Sequence, residues 1–337
     1  MKNNMNHEHY MYRCIEIAKK GQGTTYPNPC VGCIIVYKDK IISEAHSSKY
    51  GGDHAEVNAI NKIENKKLLK ESSLYVTLEP CCHQGKTPPC TTIISKYKIP
   101  NVIIGAIDQS DKVNGKGVEK LIKNKINVIT GVLGEECRNL HKNFLCFHKN
   151  KRPYIILKWA ESKDKFIGDP NNFNTDNKWI SSKKSRQLVH KWRSMENSIL
   201  VGYNTVIHDN PNLNVRHWKG INPIRIVIDL NDDLSKDFNI FNSDSKTIKI
   251  TKNDININNP LAQEITKILY SKNIQSVIVE GGKKTLECFI NINLWDEARI
   301  FTSNKILGKG LNSPKIVGKI SSNYSIDNDK LSIIIPT

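Results

Sequence analysis

A histidine, two cysteines and a glutamate in the first ninety residues have the types and spacing of a reactive metal site. His54 stands two residues before Glu56, and Cys81 and Cys90 follow on later segments. Imidazole nitrogen and thiolate sulfur are good zinc ligands, and three protein ligands leave the fourth tetrahedral position open for water. Zinc lowers the pKa of such a water towards neutrality. Glu56 is then close enough to carry the proton without binding the metal.

This pattern is typical of zinc deaminases of nucleobases, which carry H-x-E followed by P-C-x-x-C. Here eight residues, rather than two, separate Cys81 from Cys90. Two other interpretations stay open. A closed structural zinc site needs a fourth ligand, for which Cys82 and His83 are available, but it leaves Glu56 without a role. The residues could also form a metal-free group of buried thiols.

An α/β fold must position these residues, because strand-like and helix-like patterns alternate through the first half of the chain. Helical spacing over His54–Ile63 and Pro89–Lys96 places His54, Glu56 and Cys90 at helix starts, where the helix dipole favours thiolates and a metal-bound hydroxide. Gly115 and Gly117 mark a turn. Apolar runs predict strands over Val31–Tyr37, Leu74–Leu78, Val102–Ile107 and Ile126–Thr130. This is a sheet covered by helices.

A second α/β pattern begins after the polar, basic stretch Phe147–Pro153, which marks a domain boundary. Near its end, the strand Val277–Val279 is followed by Glu280, Gly281 and Gly282 and then by a helix, an arrangement that can bind an anion. We therefore predict two domains, residues 1–148 and 152–337. The other elements predicted in the second domain are strands over Tyr154–Trp159, Ser198–Gly202, Ile224–Asp229 and Thr247–Thr251, and helices over Ser182–Arg193 and Leu261–Tyr270.

Composition restricts the possible partners. The net charge is +17, which could indicate a nucleic-acid partner, but the lysines are scattered beside abundant Asn and Ile and no basic block is interleaved with aromatic residues. No run approaches the ~20 apolar residues of a membrane span, and the N-terminus has no apolar signal segment. Nine cysteines are an odd number, which fits a reducing compartment. We expect a cytoplasmic protein that binds neither nucleic acid nor membrane.

Four motifs together resemble the bifunctional riboflavin-biosynthesis deaminase–reductase family, and they occur in the family's order. They are Thr25–Pro29, His54–Ala59, Val76–Cys81 and Gly85–Cys90. The long Cys-to-Cys interval with Gly-Lys-Thr-Pro-Pro separates this family from cytidine and tRNA adenosine deaminases. The resemblance extends over nearly the whole chain and is strongest in the first half. It implies an α/β protein with an N-terminal cytidine-deaminase-like three-layer α/β/α domain and a C-terminal α/β domain similar to dihydrofolate reductase.

By this resemblance the first domain is a zinc-dependent pyrimidine deaminase with one zinc ion per chain. Its ligands are His54, Cys81 and Cys90, and its catalytic proton shuttle is Glu56. The family's substrate-holding positions correspond to Asn28, which can present donor and acceptor to a base edge, to His83, and to Lys86, which suits a ribose phosphate.

Two departures from the family pattern affect the expected substrate contacts. The family usually has His where this chain has Ser47, while His46 stands one place earlier. In a strand, a shift of one residue places a side chain on the other face. An acid that is common near Gly52 is also absent.

The second half resembles the family's NADPH-dependent reductase. Matching cofactor positions are Ala160, Trp179, Thr205, Asp209, Gly281 and Gly282. Matching substrate positions are Asn177, Arg193, Leu213, Arg216 and Glu280, with Lys158 and Ser162 nearby. The two arginines can clamp a ribose phosphate in a two-pronged manner. The family's Ser-Leu-Asp-Gly-Lys is replaced by Ser162–Phe166, which lacks the glycine, and extra residues follow around Pro170–Asn172.

The resemblance implies two consecutive steps of riboflavin biosynthesis. The first is hydrolytic deamination of 2,5-diamino-6-ribosylamino-4(3H)-pyrimidinone 5′-phosphate, and the second is NADPH reduction of the ribosyl chain to ribityl. The implied partners are this small pyrimidine ribosylamino phosphate and further copies of the chain in a homo-oligomer. Two alternatives remain: a tRNA or other nucleic-acid zinc deaminase with an appended binding domain, favoured by the basic charge, and a non-enzymatic zinc-stapled binding protein.

Overall fold

The computed structural model describes residues 2–168 and 179–337, with the backbone alone at residues 2–6. The chain divides into two compact units, Met1–Lys151 and Arg152–Thr337. In the described residues, no helix combines the length and the apolar character that crossing a membrane requires.

The first unit is built around a five-stranded sheet of order β2-β1-β3-β4-β5. The strands β3, β4 and β5 run parallel to one another, while β1 pairs antiparallel with β2 and β3. Its elements are α1 (Lys2–Lys19), β1 (Gly32–Tyr37), β2 (Lys40–His46), α2 (Ala55–Asn61), β3 (Ser72–Leu78), α3 (Cys90–Lys96), β4 (Asn101–Ala106), α4 (Lys116–Lys123), β5 (Asn127–Thr130), α5 (Gly134–Leu140) and α6 (Lys142–Asn150), with a 3-10 helix at Lys66–Glu71.

Helices cover this sheet because its central strands are almost wholly apolar and buried. The strands β3 and β4 bury nearly every side chain, as expected of strands with both faces covered. The helices α1 and α5 pack together, and α2, α3 and α4 form a second packed set. The parallel strands β3 and β4 end at Leu78 and Ala106, and Cys81, shortly after β3, contacts His54 and Cys90 at the starts of α2 and α3. Helix starts and strand ends are thereby brought to one edge of the sheet.

The sequence predictions for the four strands and the two helix starts of this unit are confirmed. The turn predicted at Gly115 and Gly117 is wrong at the second position. Gly115 precedes α4 with a left-handed φ of 89°, but Gly117 lies inside the helix. The sequence analysis also missed α1, β2, α4, α5 and α6, and the first part of the predicted boundary stretch Phe147–Pro153 lies within α6.

The second unit contains an eight-stranded sheet of order β12-β13-β11-β6-β10-β7-β8-β9. The six strands from β11 to β9 in this order are parallel, and the C-terminal hairpin extends the sheet antiparallel. Its elements are β6 (Tyr154–Glu161), α7 (Lys183–Met195), β7 (Ser198–Gly202), α8 (Tyr203–Asp209), β8 (Ile224–Ile228), β9 (Thr247–Ile250), α9 (Leu261–Ser271), β10 (Ser276–Gly281), α10 (Lys283–Ile290), β11 (Glu297–Ser303), β12 (Lys319–Ile326) and β13 (Asp329–Ile335), with 3-10 helices at Asn239–Phe241 and Lys252–Asp254.

Two apolar clusters lie on the two faces of this sheet, one including Leu157 and Val279 and the other Ile156 and Ile278. Ser182 caps α7, because its Oγ accepts the Ser185 N–H at 3.2 Å. The helix α8, the strand β11 and the β12–β13 hairpin were not predicted. Ligands of open parallel sheets bind beyond the carboxyl ends of the strands. In this unit that edge carries the ends of β6, β7 and β10.

Candidate metal site and reductase site

The three predicted metal ligands lie together in the first unit. His54 directly precedes α2, Cys81 follows β3, and Cys90 is the first residue of α3. The His54 Nδ1 atom is 3.6 Å from the Cys81 sulfur and 3.3 Å from the Cys90 sulfur. All three candidate ligand atoms lie within 4.8 Å of one another. The fold therefore unites three segments that are separate in sequence.

These distances fit a tetrahedral zinc ion, around which nitrogen and sulfur ligands stand roughly 3.5 Å apart. The Cys90 backbone N–H donates to the Cys81 sulfur at 3.3 Å, so the start of α3 supports a thiolate. Hydrogen bonding from the Cys90 side chain lowers the pKa of Cys81 to about 4. The hydrogen bond with Cys81 raises the pKa of His54 to about 9. The three residues thus form a donor set with the correct chemistry for zinc.

A fourth protein ligand is absent from this group in residues 2–168 and 179–337. Cys82, one of the two candidates, directs its sulfur to the Lys112 carbonyl oxygen at 3.7 Å. Neither Cys82 nor His83 contributes an atom to the ligand cluster. The closed-site interpretation therefore lacks the residue it requires, and the geometry favours an open coordination position.

Glu56 lies beside the ligands but is not one of them. It occupies the first turn of α2, is 3% exposed, and interacts electrostatically with His54 and Cys81. Burial raises its pKa, although the charge of His54 opposes the shift. A carboxyl group in this state gains and loses a proton more readily near neutral pH than an exposed one does.

Two of the three predicted deaminase substrate residues border the metal group. His83 and Lys86 lie on the loop that joins Cys81 to Cys90. The His83 Nδ1 atom is buried without a hydrogen-bond partner in the described protein. Lys86 is exposed, and its ammonium stands 3.9 Å from the centre of the Tyr50 ring. The sequence analysis missed Tyr50, whose only signal is an aromatic residue four places before His54.

Asn28, the third, lies on the loop before β1, where its backbone N–H donates to the Thr25 carbonyl oxygen at 2.9 Å. The departure at Ser47 has a local explanation. The Ser47 Oγ accepts the Val31 N–H at 3.0 Å and donates to the Pro29 carbonyl at 3.2 Å, so it supports the segment after Asn28. The His46 ring instead faces Gly21, where an added Cβ atom would come within 2.8 Å of the His46 Nδ1 atom. The strand β2 ends at His46, so Ser47 lies just beyond it, and the two side chains have different contacts.

In the second unit a buried ion cluster joins three predicted site residues. Arg193 on α7 donates two hydrogen bonds to Glu280 on β10, from Nε at 3.0 Å and from Nη2 at 2.7 Å. The Lys158 ammonium on β6 is 3.6 Å from the same carboxylate. Burial raises the pKa of Glu280, but the charges of Arg193 and Lys158 outweigh it and lower the pKa to about 2. Burial lowers the pKa of Lys158.

Glu280 accepts hydrogen bonds from two of the Arg193 donors in this structure, and the two-pronged phosphate clamp stays a prediction for both arginines. The third interaction of Arg193, from Nη1 to the Asn214 carbonyl, measures 3.3 Å. Arg216 binds the same residue through the Asn214 side-chain oxygen at 2.9 Å and is otherwise exposed. Leu213, directly before Asn214, is buried. Asn214 therefore contacts the guanidinium group of Arg193 on α7 and that of Arg216 on its own loop.

The predicted cofactor residues lie at or near strand ends. Gly281 and Gly282 join β10 to α10, and a side chain at Gly282 would stand 3.3 Å from the Thr205 Oγ1 atom of α8. Ala160 lies near the end of β6, and Asp209 ends α8. Trp179 is 53% exposed and stacks under the Arg186 guanidinium at 4.8 Å. The structure brings Gly282 and Thr205 together, and Asn177 lies outside the described residues.

Comparison with known proteins identifies the family. Residues 4–106 match the cytidine and deoxycytidylate deaminase zinc-binding region, and residues 153–330 match the RibD C-terminal domain. The riboflavin biosynthesis protein RibD of Aquifex aeolicus is 37% identical over 90% of this chain and 88% of its own length. This chain belongs to the RibD family.

RibD relatives match in structure as well as in sequence. The Bacillus amyloliquefaciens RibD is 34% identical over 92% of this chain and 87% of its own. A crystal structure from Thermotoga maritima, described as a diaminohydroxyphosphoribosylaminopyrimidine deaminase/5-amino-6-(5-phosphoribosylamino)uracil reductase, superimposes with a TM-score of 0.90. It shares 37% identity and covers 99% of this chain and 100% of its own.

As a RibD protein, this chain is a bifunctional deaminase and reductase of riboflavin biosynthesis, with a cytidine-deaminase-like zinc-binding domain and an NADPH-dependent type of reductase domain. The nucleic-acid deaminase alternative is not favoured, because the second unit matches the RibD reductase domain rather than a binding module. The zinc-stapled binding protein is not favoured for the same reason.

The loop Ser162–Phe166, which departs from the family pattern, is stabilised by hydrogen bonds among its own residues. Ser162 is fully buried, donates to Asp164 Oδ1 at 2.6 Å and accepts the Phe166 N–H at 3.0 Å. Lys165 replaces the family's glycine and adopts a φ of 70°, in the left-handed region that glycine occupies most easily. The backbone turn is thus retained although the glycine is not. The extra residues around Pro170–Asn172 lie outside the described residues.

Proposed function

We propose that the first unit removes the ring amine from 2,5-diamino-6-ribosylamino-4(3H)-pyrimidinone 5′-phosphate, and that the second reduces the ribosyl chain of the product to ribityl with NADPH. The two activities by which the Thermotoga maritima protein is described support this substrate and this order. The observation that carries the proposal is the three-ligand group of His54, Cys81 and Cys90 with Glu56 buried beside it.

In the deaminase site, His54, Cys81 and Cys90 would hold one zinc ion per chain. Bound zinc supplies a water acidic enough to be deprotonated near neutral pH. Glu56, buried beside these ligands, would carry a proton from the attacking water to the departing exocyclic nitrogen, so that water and the amine become a ring carbonyl and ammonia. Its raised pKa, caused by burial, suits both transfers.

Substrate positioning in this site falls to residues of two loops. Asn28 can offer both a donor and an acceptor to the pyrimidinone edge. The unpartnered His83 Nδ1 is a second polar group available to substrate. Lys86, held over the Tyr50 ring, provides a cation for the ribose phosphate.

In the reductase site, NADPH would lie along Ala160, Trp179, Thr205, Asp209 and the Gly281–Gly282 turn. The cofactor supplies the hydride. Glu280 and Lys158 face the substrate as a charged pair held by Arg193. Arg216 offers the exposed cation for the phosphate, while Leu213, Asn177 and Ser162 complete the proposed lining of the site.

We further propose that residues 1–148 and 152–337 are the two catalytic domains, a division that the two compact units support. Exposed apolar side chains on β12, such as Ile320 and Tyr324, support a homo-oligomer. Metal-binding thiols must stay reduced, which supports a cytoplasmic location.

The test is the Glu56→Gln variant with zinc content and ammonia release measured on the same sample. Zinc should remain bound, and ammonia release should fall by roughly 10²- to 10⁴-fold because the proton carrier is lost. NADPH oxidation with the deaminated substrate should continue. Glu64→Gln, which neutralises an exposed acid of the same unit, should behave as wild type. Ammonia release at the wild-type rate by the Glu56 variant would contradict the assignment.

A further inference from the structure

Glu79 is a buried acid that the proposed chemistry does not use. It follows β3 directly and stands two residues before Cys81. Its side chain is almost completely enclosed, at 4% exposure. Enclosing a carboxylate is costly unless its oxygen atoms receive hydrogen bonds. The partners of Glu79 therefore indicate what this residue does.

All four hydrogen bonds to this carboxylate come from backbone N–H groups. Oε1 accepts from Gly117 at 2.8 Å and from Val118 at 3.1 Å. Oε2 accepts from Gly115 at 3.0 Å and from Asp108 at 3.2 Å. Three of these donors belong to the start of α4, where N–H groups lack partners within the helix and a negative charge is favourable. Glu79 thus caps a helix that is remote in sequence.

The contact between this helix start and the strand end leaves no free space. A side chain at Gly117 would meet the Pro80 carbonyl oxygen at 2.2 Å and the Glu79 Oε1 atom at 2.9 Å. On the other side, the Glu79 backbone N–H donates to the Ala106 carbonyl at 2.9 Å. The segment Glu79–Pro80 is therefore held by β4 and by α4 at the same time.

Cys81 is the next residue along this segment. Two residues of chain reach at most about 7 Å, so the position of the Glu79 backbone limits where the Cys81 sulfur can lie. On its far side Cys81 is held by α3, because its carbonyl accepts the Thr91 N–H at 3.2 Å. The sulfur is thus placed between two fixed helix starts.

We propose that Glu79 is a positioning residue of the deaminase site, which fixes Cys81 as a metal ligand by clamping the end of β3 to the start of α4. This inference rests on the proposed zinc site. Zinc content of the wild-type protein tests that site separately, so failure of one is distinguishable from failure of the other.

The test uses the full-length Glu79→Gln variant, in which an amide NH₂ replaces one acceptor and faces backbone donors. We expect zinc transfer to a colorimetric chelator to accelerate roughly 10- to 100-fold, as for other outer-shell partners of metal ligands. The cobalt-substituted protein should show altered visible absorption bands, which report ligand geometry. Glu79→Asp, which keeps the charge, should lie between wild type and Glu79→Gln.

Two internal controls separate positioning from general stability. Glu119→Gln neutralises an exposed acid of the same helix turn and should retain the wild-type zinc transfer rate. NADPH oxidation by the second unit should be unchanged in every variant. Wild-type zinc transfer and cobalt spectrum in Glu79→Gln would overturn the proposal. So would a cobalt spectrum that stays unchanged while the first unit only loses thermal stability.

If Glu79→Gln does not fold, Gly117→Ala takes its place, because it disturbs the same contact from the helix side and keeps the carboxylate. It should accelerate zinc transfer in the same direction, and a wild-type rate in that variant would also overturn the proposal.

Discussion

The first unit takes its reactive group from short segments at one sheet edge, whereas the second unit takes its charged group from three distant elements. His54 and Glu56 share the start of one helix, and a single loop joins Cys81 to Cys90. In the second unit β6, α7 and β10 each contribute one charged residue to the buried ion cluster. The metal site of the first unit depends on ligand geometry. The ion cluster of the second unit depends on the balance of buried charges.

This difference explains why the metal site is easier to recognise in the sequence than the buried ion cluster. A metal ion requires particular residue types at particular spacings, and those types are uncommon enough to be noticed. Lysine, arginine and glutamate are common on every surface, so their sequence positions alone do not reveal that Lys158, Arg193 and Glu280 meet. The difference also makes the two sites respond differently to substitution.

The largest difference between the two activities is expected for Arg193→Ala. This substitution should abolish NADPH oxidation and leave ammonia release unchanged. The substitution leaves Glu280 buried with only the more distant Lys158, and breaking a buried pair in this way costs about 3–5 kcal/mol of stability. The second unit should therefore unfold at a lower denaturant concentration than in the wild-type protein. Lys184→Ala on the same helix removes an exposed cation, 72% exposed, and should change neither measurement. Normal NADPH oxidation by Arg193→Ala would refute the cluster's role.

A smaller effect is expected on the stability of the first unit at acidic pH, and it depends on His141. Burial lowers the pKa of His141 to about 3, and its Nε2 atom lies 3.0 Å from Thr77 Oγ1. Because the unfolded chain protonates this histidine below pH 6.5 while the folded unit keeps it neutral until about pH 3, acidification through this window favours unfolding. The first unit should lose stability as pH falls from 6.5.

The His141→Gln variant should show a weaker pH dependence than wild type in urea unfolding at pH 7, 6 and 5. His9→Gln, at an exposed position of the same unit, should retain the wild-type slope. Equal slopes in wild type and His141→Gln would show that other groups cause the acid sensitivity.

The smallest effect on stability is expected at Lys165, in the loop Ser162–Phe166, where this lysine replaces the family's glycine. Lys165→Gly should relieve the left-handed backbone, worth about 1 kcal/mol, but it removes an ion pair with Glu161 in which Lys165 is 63% exposed. We expect a net stabilisation of the second unit below about 1 kcal/mol, measured by thermal unfolding. Lys163→Gly in the same loop should be destabilising instead. A marked loss of stability in Lys165→Gly would mean that the ion pair outweighs the backbone strain.

Several features were predictable from the sequence because they depend on local patterns. The starts of α2 and α3, the strand before Cys81 and the helix that begins near Ser182 all follow from apolar periodicity and helix-start signals. The remote contact of Glu79 with the start of α4 was not predictable, although an acid before Pro80 and the glycines at 115 and 117 were its visible signals. The pairing of Arg193 with Glu280 was missed because a substrate phosphate was an equally suitable partner for the arginine.

The sequence by itself determined which residues can do chemistry, since the metal-binding types and their order along the chain are written in it. Only the tertiary structure decided which of them meet, which buried groups hold them in place, and that Arg193 is occupied by Glu280. The physical reason is that side-chain chemistry is a local property, whereas burial, charge balance and distance arise only when segments remote in sequence pack together.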